Sequence, residues 1–174
     1  MGMDSMSDET AYRKVHDELY GVLQAVSEGY FRGFPRPPES PIERMMIIAL
    51  VGFSFAVPRY RFEGSPCDVA ESEKWPTIHI DTQVPIGKFR ADIVATVTLA
   101  GRELGKVVVE CDGHQFHERT KEQATRDRAR DRKMTMDGYK VLRFTGSEIY
   151  RSPSEAAGDV HQVCWSLFLD DPAK

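Results

Sequence analysis

Three carboxylates sit on two ribbons of otherwise largely apolar sequence. Asp92 lies in KFRADIVATVTL, and Glu110 and Asp112 end the run LGKVVVECD. Both runs are rich in Val, Ile and Thr and are separated by Gly101, which predicts a β-hairpin. A loop centred on Gly101 sets Asp92 opposite Glu110, and a slip of register sets it opposite Asp112. Side chains alternate along a strand, so Glu110 and Asp112 share a face while Val109 and Cys111 point the other way. Two unit charges about 4 Å apart repel by roughly 4 kcal/mol at an effective dielectric near 20. That is a large part of the ~5–15 kcal/mol by which a domain is stable. The cluster therefore calls for protons, basic neighbours or a cation, and hard oxygen donors suit Mg²⁺ or Mn²⁺. A plainer alternative pairs Asp92 with Arg90 or Arg143 at a sheet edge.

Basic residues follow the acids directly. Residues 113–133 hold seven (Arg119, Lys121, Arg126, Arg128, Arg130, Arg132, Lys133) against four acidic ones (Glu118, Glu122, Asp127, Asp131), in a chain of net charge −4. Such a local excess is where the phosphates of a nucleic acid would dock, with Arg119, Lys121, Arg126 and, from a later strand, Arg143 as candidate contacts. Gln123, Asp127, Arg130 and Met134 fall on one helical stripe, so Asp127 and Arg130 project together. The competing reading is a salt-bridged, solvated helix face. Cys111, His114 and His117 have a spacing like that of zinc ligands, but Cys111 faces away from Glu110 and no nearby CxxC completes the set.

The elements that must position these groups follow from periodicity. Tyr12, Val15, Leu19, Val22 and Val26 give one apolar stripe to a helix over about residues 9–30. That helix packs on the domain or on a second copy of the chain. GFPRPPES is a joint, so residues 1–38 read as a helix with its linker and residues 39–174 as the main domain. Ser40, Pro41 and Glu43 open a second helix with a capping box, and Glu43 is weighed equally as a neighbour of the acids. Residues 57–76 read as loop with one short strand. TIHIDTQVPI, KFRADIVATVTL and LGKVVVECD form an antiparallel meander. A charged helix from His117 to Asp137 ends at Gly138, YKVLRF is a fourth strand, and SPSEAAGDVHQVCWSLFL is a last helix with a serine cap.

A chain of 174 residues with 41% hydrophobic content can build one core. Its acidic balance means that a polyanion must be met by a local basic surface. No stretch reads as a signal peptide or a membrane span, and Cys67, Cys111 and Cys164 are scattered, so a reduced cytoplasmic protein is expected.

Asp92 on one strand and Glu110-Cys111-Asp112 on the next, within an αβββαβ order, resemble the core of the PD-(D/E)XK restriction-endonuclease-like nucleases. The later DGHQFH, RDRARDRKM and GYKVLRFTGSEI are similar to the branch around the very-short-patch-repair endonucleases. The resemblance covers about residues 40–150. It implies a mixed α/β sheet flanked by helices and a Mg²⁺- or Mn²⁺-dependent endonuclease acting on nucleic acid, with DNA as the expected substrate. Asp92 and Glu110 become metal ligands, joined by the Cys111 carbonyl and Asp112. Where the family pattern places a lysine two residues after the glutamate, this chain has Asp112. His117 is the first candidate to replace it, with a side chain that titrates near pH 6.5; Arg130 and Lys133 are the others. Glu43, Gln123 and Asp127 are expected to support this group. The alternative is a module that keeps the fold and binds nucleic acid or a protein without cleaving. Cutting both strands would call for a dimer, for which the N-terminal helix is the candidate surface.

Overall fold

A computed structural model describes residue 31 and residues 34–54, 60–62, 75–113 and 121–172. The chain divides into two compact units, residues 1–33 and 34–174, and every element named here belongs to the second. The helix expected over residues 9–30 lies outside the described residues. The order is α1 (Pro41–Ser54), β1 (Tyr60–Phe62), β2 (Thr77–Ile86), β3 (Phe89–Leu99), β4 (Arg102–Asp112), α2 (Lys121–Met136), β5 (Tyr139–Thr145), α3 (Gly146–Arg151) and α4 (Pro153–Leu169).

The five strands form one mixed sheet in sequence order. The meander β2-β3-β4 is antiparallel as expected, and β1 and β5 flank it in parallel with their neighbours. A parallel β4–β5 pair needs a crossover, which α2 supplies.

The β3–β4 hairpin turns on two residues, Ala100 and Gly101, both in the left-handed region at φ 50° and 79°. This is the preference of a tight primed turn, and it sets Leu99 opposite Arg102. Left alone, that register would put Asp92 opposite Val109. A bulge between Val97 and Thr98 resets it, so that Val97 pairs with Gly105 and Ile93 with Val109. One residue further, Asp92 faces Glu110. The extra residue thus decides which face of the sheet the acids occupy.

Alternation sorts the two faces. Ile93, Ala95, Val97, Val107 and Val109 are fully buried on one side, with Met46, Ile47 and Leu50 of α1 and Ala157, Val160 and Cys164 of α4. There α1 packs on α4, and α4 crosses β3 and β4. Gly105 permits the crossing, since a Cβ at that position would lie 3.0 Å from Leu167. On the other side Val94 and Val108 meet Met134 of α2, with Val84, Ile86, Phe89, Tyr139 and Val141 around them. No helix among the described residues is long and apolar enough to cross a membrane.

Two local expectations need correction at the C-terminal end. GSEIYR forms its own short helix, α3, closed by a capping box between Thr145 and Glu148. Ser152 then stands at the N-cap of α4, but its side chain makes no capping bond; Pro153 begins the helix instead. Gly138, at φ 89°, follows α2 and donates to the carbonyl of Thr135, as a C-terminal glycine should.

Candidate active site

A row of polar side chains crosses the sheet near one end. Thr82 pairs with Ile93 and Val84 with Ala91, which brackets Gln83 of β2 against Asp92 of β3. Asp92 faces Glu110 of β4, and Glu110 is the direct partner of Arg143 on β5. Glu110, 3% exposed, and Gln83, 5% exposed, are buried, while Asp92 and Arg143 are half-buried.

Each acid has a defined partner. The Cys111 backbone N–H donates to Asp92 Oδ2 at 2.8 Å. Arg130 Nη2 donates to Glu110 Oε1 and, at 2.7 Å, to the carbonyl oxygen of Arg90. Arg143 Nη1 donates to both oxygens of Asp112, at 3.0 and 3.2 Å, while its Nη2 donates to Asp131 of α2 at 2.8 Å. Arg90 reaches Glu39 at 2.6 Å. The sheet-edge alternative for Asp92 therefore loses both of its cations to other acids.

Burial holds Asp92 above the usual carboxylate range, against the Cys111 hydrogen bond; repulsion from Glu43 and Asp112 adds to the rise, and Arg130 opposes it. Glu110 is pushed up to about 7, by burial first and by repulsion from Asp92 second, with Arg130 and Arg143 pulling the other way. The Asp92 charge thus raises the proton affinity of Glu110, which couples the two acids electrostatically. Perturbed carboxylates of this kind mark candidate functional sites.

Glu43 proves to be both a helix-end group and a neighbour of the acids. Its backbone N–H donates to Ser40 Oγ at 3.2 Å, which is half of a capping box. Its carboxylate turns to the backbone N–H of Glu39 at 2.9 Å and to the Gln83 amide at 2.6 Å, and it is 5% exposed. Gln83 was not among the residues expected. Its signal lies in the second hairpin, where Ile86 pairs with Phe89 across a tight turn, and that register counts back to Gln83 opposite Asp92.

On α2 the expected stripe divides. Arg130 and Met134 face the sheet, Met134 fully buried. Asp127 is half-buried, and the side chain of Gln123 lies outside the described part. Lys133 pairs with Asp137 at 2.5 Å with its side chain 60% exposed, so of the two expected α2 cations only Arg130 meets an acid of the row. Arg143, expected to contact nucleic acid, is bound into ion pairs to Asp112 and Asp131. His114, His117 and Arg119 lie outside the described residues, as do the side chains of Lys121 and Arg126. Cys111 points into the core, and burial drives its thiol far above the ordinary range, which removes it from the zinc alternative as a thiolate donor.

Among the described residues no three His, Cys, Asp or Glu side chains are arranged to hold a metal ion. Glu110 and Asp112 are instead bound to guanidinium groups. In kind, the donors still fit a hard divalent ion. Asp92 and Glu110 repel each other, and Gln83 Oε1 is a buried acceptor with no partner among the described residues. A cation would answer both.

A mixed sheet covered by helices on both faces, with acids facing each other on two central strands, defines the restriction-endonuclease-like class. Residues 68–163, more than half of the chain, match the family REase_MTES_1575, and the chain belongs to that restriction-endonuclease-like family. Comparison with curated proteins and with solved structures gives no match.

Proposed function

We propose that this protein is a metal-dependent endonuclease that hydrolyses nucleic-acid phosphodiester bonds, with DNA as its substrate. One observation carries the reading: Glu110, buried, and Asp92, half-buried, face each other in a chain of a nuclease-type family, and the Asp92 charge repels that of Glu110. Asp92, Glu110 and the Cys111 carbonyl would hold Mg²⁺ or Mn²⁺, with Asp112 alongside while its pair with Arg143 lasts. When bound, such an ion lowers the pKa of its water and screens charge developing on the phosphate.

The protein's own groups do the rest. Arg130 presents a guanidinium whose Nε is buried and has no partner among the described residues. A phosphate oxygen arriving beside Glu110 satisfies that donor, so Arg130 orients the scissile group. His117 takes the place of the lysine that Asp112 displaces from the family pattern, as base for the attacking water. Arg119, Lys121 and Arg126 dock the flanking phosphates. Glu43, Gln123 and Asp127 support the acids. The closer likeness to the very-short-patch-repair branch, a cytoplasmic location, a nuclease domain over residues 39–174 and a dimer formed by the helix within residues 1–38 belong to the same reading.

A second reading has one specific observation in its favour. Glu110 and Asp112 are both occupied by arginines, as they would be in a binding module that no longer cleaves. Purified protein incubated with Mg²⁺ or Mn²⁺ and single-stranded, duplex, mismatched or branched DNA, and RNA, separates the two. Cleavage lost in Asp92→Ala supports the enzyme, and binding with no cleavage of any substrate supports the module.

A further inference from the structure

The β2–β3 hairpin ends in Gly87-Lys88-Phe89-Arg90, a tip with two cations and no acid. Ile86 pairs with Phe89 across a two-residue turn, in which Gly87 takes φ 58°. The pairs of β3 with β4 stop at Ile93 and Val109, whereas those with β2 run on to this turn. Among the described residues the tip is therefore a two-stranded arm that continues past the acids. It stands at their end of the sheet, with the Ala100-Gly101 turn at the other. Lys88 precedes Asp92 by four residues. That is about 13 Å at roughly 3.3 Å per residue of strand.

The arm is fixed on its inner side. Phe89, with Val84 and Ile86, packs against the cluster that contains Ala91 and Met134 of α2. The Arg130 guanidinium lies 5.9 Å from the centre of the Phe89 ring, and its Nη2 donates to the carbonyl oxygen of Arg90 at 2.7 Å. Lys88 Nζ lies 5.2 Å from the centre of the same ring. One ring thus meets a cation from the tip and a cation from the acid row. Outward, the charges of the tip are scarcely engaged. Lys88 is exposed and has no carboxylate partner among the described residues. Arg90 pairs with Glu39, but both side chains are 56% exposed, and a pair so open to water contributes little. A phosphate oxygen can take the place of Glu39 at small cost and accept from the same fork.

We infer that this tip is a nucleic-acid contact, in which Lys88 and Arg90 bind backbone phosphates of the strand that meets Arg130. This rests on the reading of nucleic acid as the ligand and asks nothing of a metal. The placement favours a polyanion over a single acidic group. Cations run from the tip to Glu110 over a span of about 13 Å, which matches about four phosphates of one strand at roughly 3.4 Å of helix axis each. An acidic protein presents no such repeat. With a net charge of −4, the chain as a whole does not attract a polyanion, so its grip must come from local groups of this kind. Phosphate contacts fix register and carry no sequence information, so Lys88 and Arg90 add affinity for any sequence.

Fluorescence anisotropy of the full chain with a labelled duplex and a labelled single strand, in EDTA and at several salt concentrations, tests this without cleavage. Lys88→Gln and Arg90→Gln change exposed side chains, and unchanged melting curves confirm that each variant is folded. Each should reduce the slope of log affinity against log salt by about 0.9 and weaken binding about 8-fold at 0.1 M salt, as loss of one phosphate contact does. The double variant should lose about twice that slope. Lys140→Gln removes the same charge from an exposed position on β5, paired with Val107 and distant from the tip, and should leave the slope as it is. An unchanged slope in the double variant overturns the inference, as does an equal fall in Lys140→Gln, while binding by the wild type keeps the wider reading intact. If the wild-type protein binds neither duplex nor single strand, that reading fails and takes this one with it.

Discussion

Arg130 reaches from α2 to Glu110 on β4 through one nitrogen, Nη2, which also donates to the carbonyl oxygen of Arg90 on β3. A single guanidinium thus ties the basic helix to both strands that carry the acids. Its side chain is 19% exposed and that of Glu110 4%, so the pair is largely out of water. Breaking one half of a buried pair ordinarily costs about 3–5 kcal/mol. Here Glu110 can escape by taking a proton, so Arg130→Ala should cost less, about 1–3 kcal/mol at pH 7. Arg130→Lys should recover little, because an ammonium lacks the planar fork. Urea unfolding of the three proteins measures both. Activity should fall by about 100-fold or more, as for loss of a donor to a developing oxyanion.

Asp92 and Glu110 differ from Arg130 in what their loss does to folding. Asp92→Asn and Glu110→Gln keep size and remove one charge from a repelling pair, so thermal stability should hold or rise. Cleavage should drop by more than about 100-fold, beyond the loss expected for an outer partner. A variant that keeps near-wild-type cleavage would remove its residue from the metal site, whatever its melting temperature.

Much of this was legible because strands leave a period-two trace and hairpins have short, countable turns. The meander and the acids on one face follow from that counting. The facing of Asp92 and Glu110 came out right because a loop centred on Gly101 stands in for two opposed facts: a tight turn at Ala100-Gly101 and a bulge at Val97/Thr98 that adds the residue back. Helix pattern alone could not tell which cations turn inward. Lys133 and Arg130 are three residues apart and read alike, yet only Arg130 reaches the row. Gln83 was invisible because its importance lies in a backbone angle and in a bond to a residue far off in sequence.

Protonation gives a third expectation. Glu110 sits at about 7 in the folded chain against an ordinary 4.5. A carboxyl whose folded value is raised binds more protons folded than unfolded, so its contribution is fully present below about 4.5 and fades as pH rises through about 7. The metal-free protein should therefore lose stability across that window, with a ceiling of about 3 kcal/mol from this group. Glu148, held below its ordinary value by Thr145, contributes with the opposite sign at lower pH. The difference between wild type and Glu110→Gln isolates the effect, and the variant should gain on wild type as pH climbs from 4.5 to 7. A flat difference would mean that Glu110 is already ionised in the folded chain.

Arg143 and Arg126 offer a contrast between cations that hold the fold and cations that meet phosphate. The Arg143 fork spans Asp112 on β4 and Asp131 on α2, with its side chain 20% exposed. Arg143→Gln leaves two half-buried acids without their shared partner and should lower stability by about 1–3 kcal/mol. Both of its terminal nitrogens are held by acids and its remaining Nε is buried, which predicts little change in how DNA affinity depends on salt. Arg126 belongs to the basic helix proposed to dock flanking phosphates, so Arg126→Gln should leave stability within about 0.5 kcal/mol. It should also reduce the slope of log affinity against log salt by about 1. Fluorescence anisotropy on a labelled duplex at several salt concentrations, beside melting curves, reads both quantities. If Arg143→Gln flattens the slope and Arg126→Gln does not, the DNA-facing surface runs along β5 and not along α2.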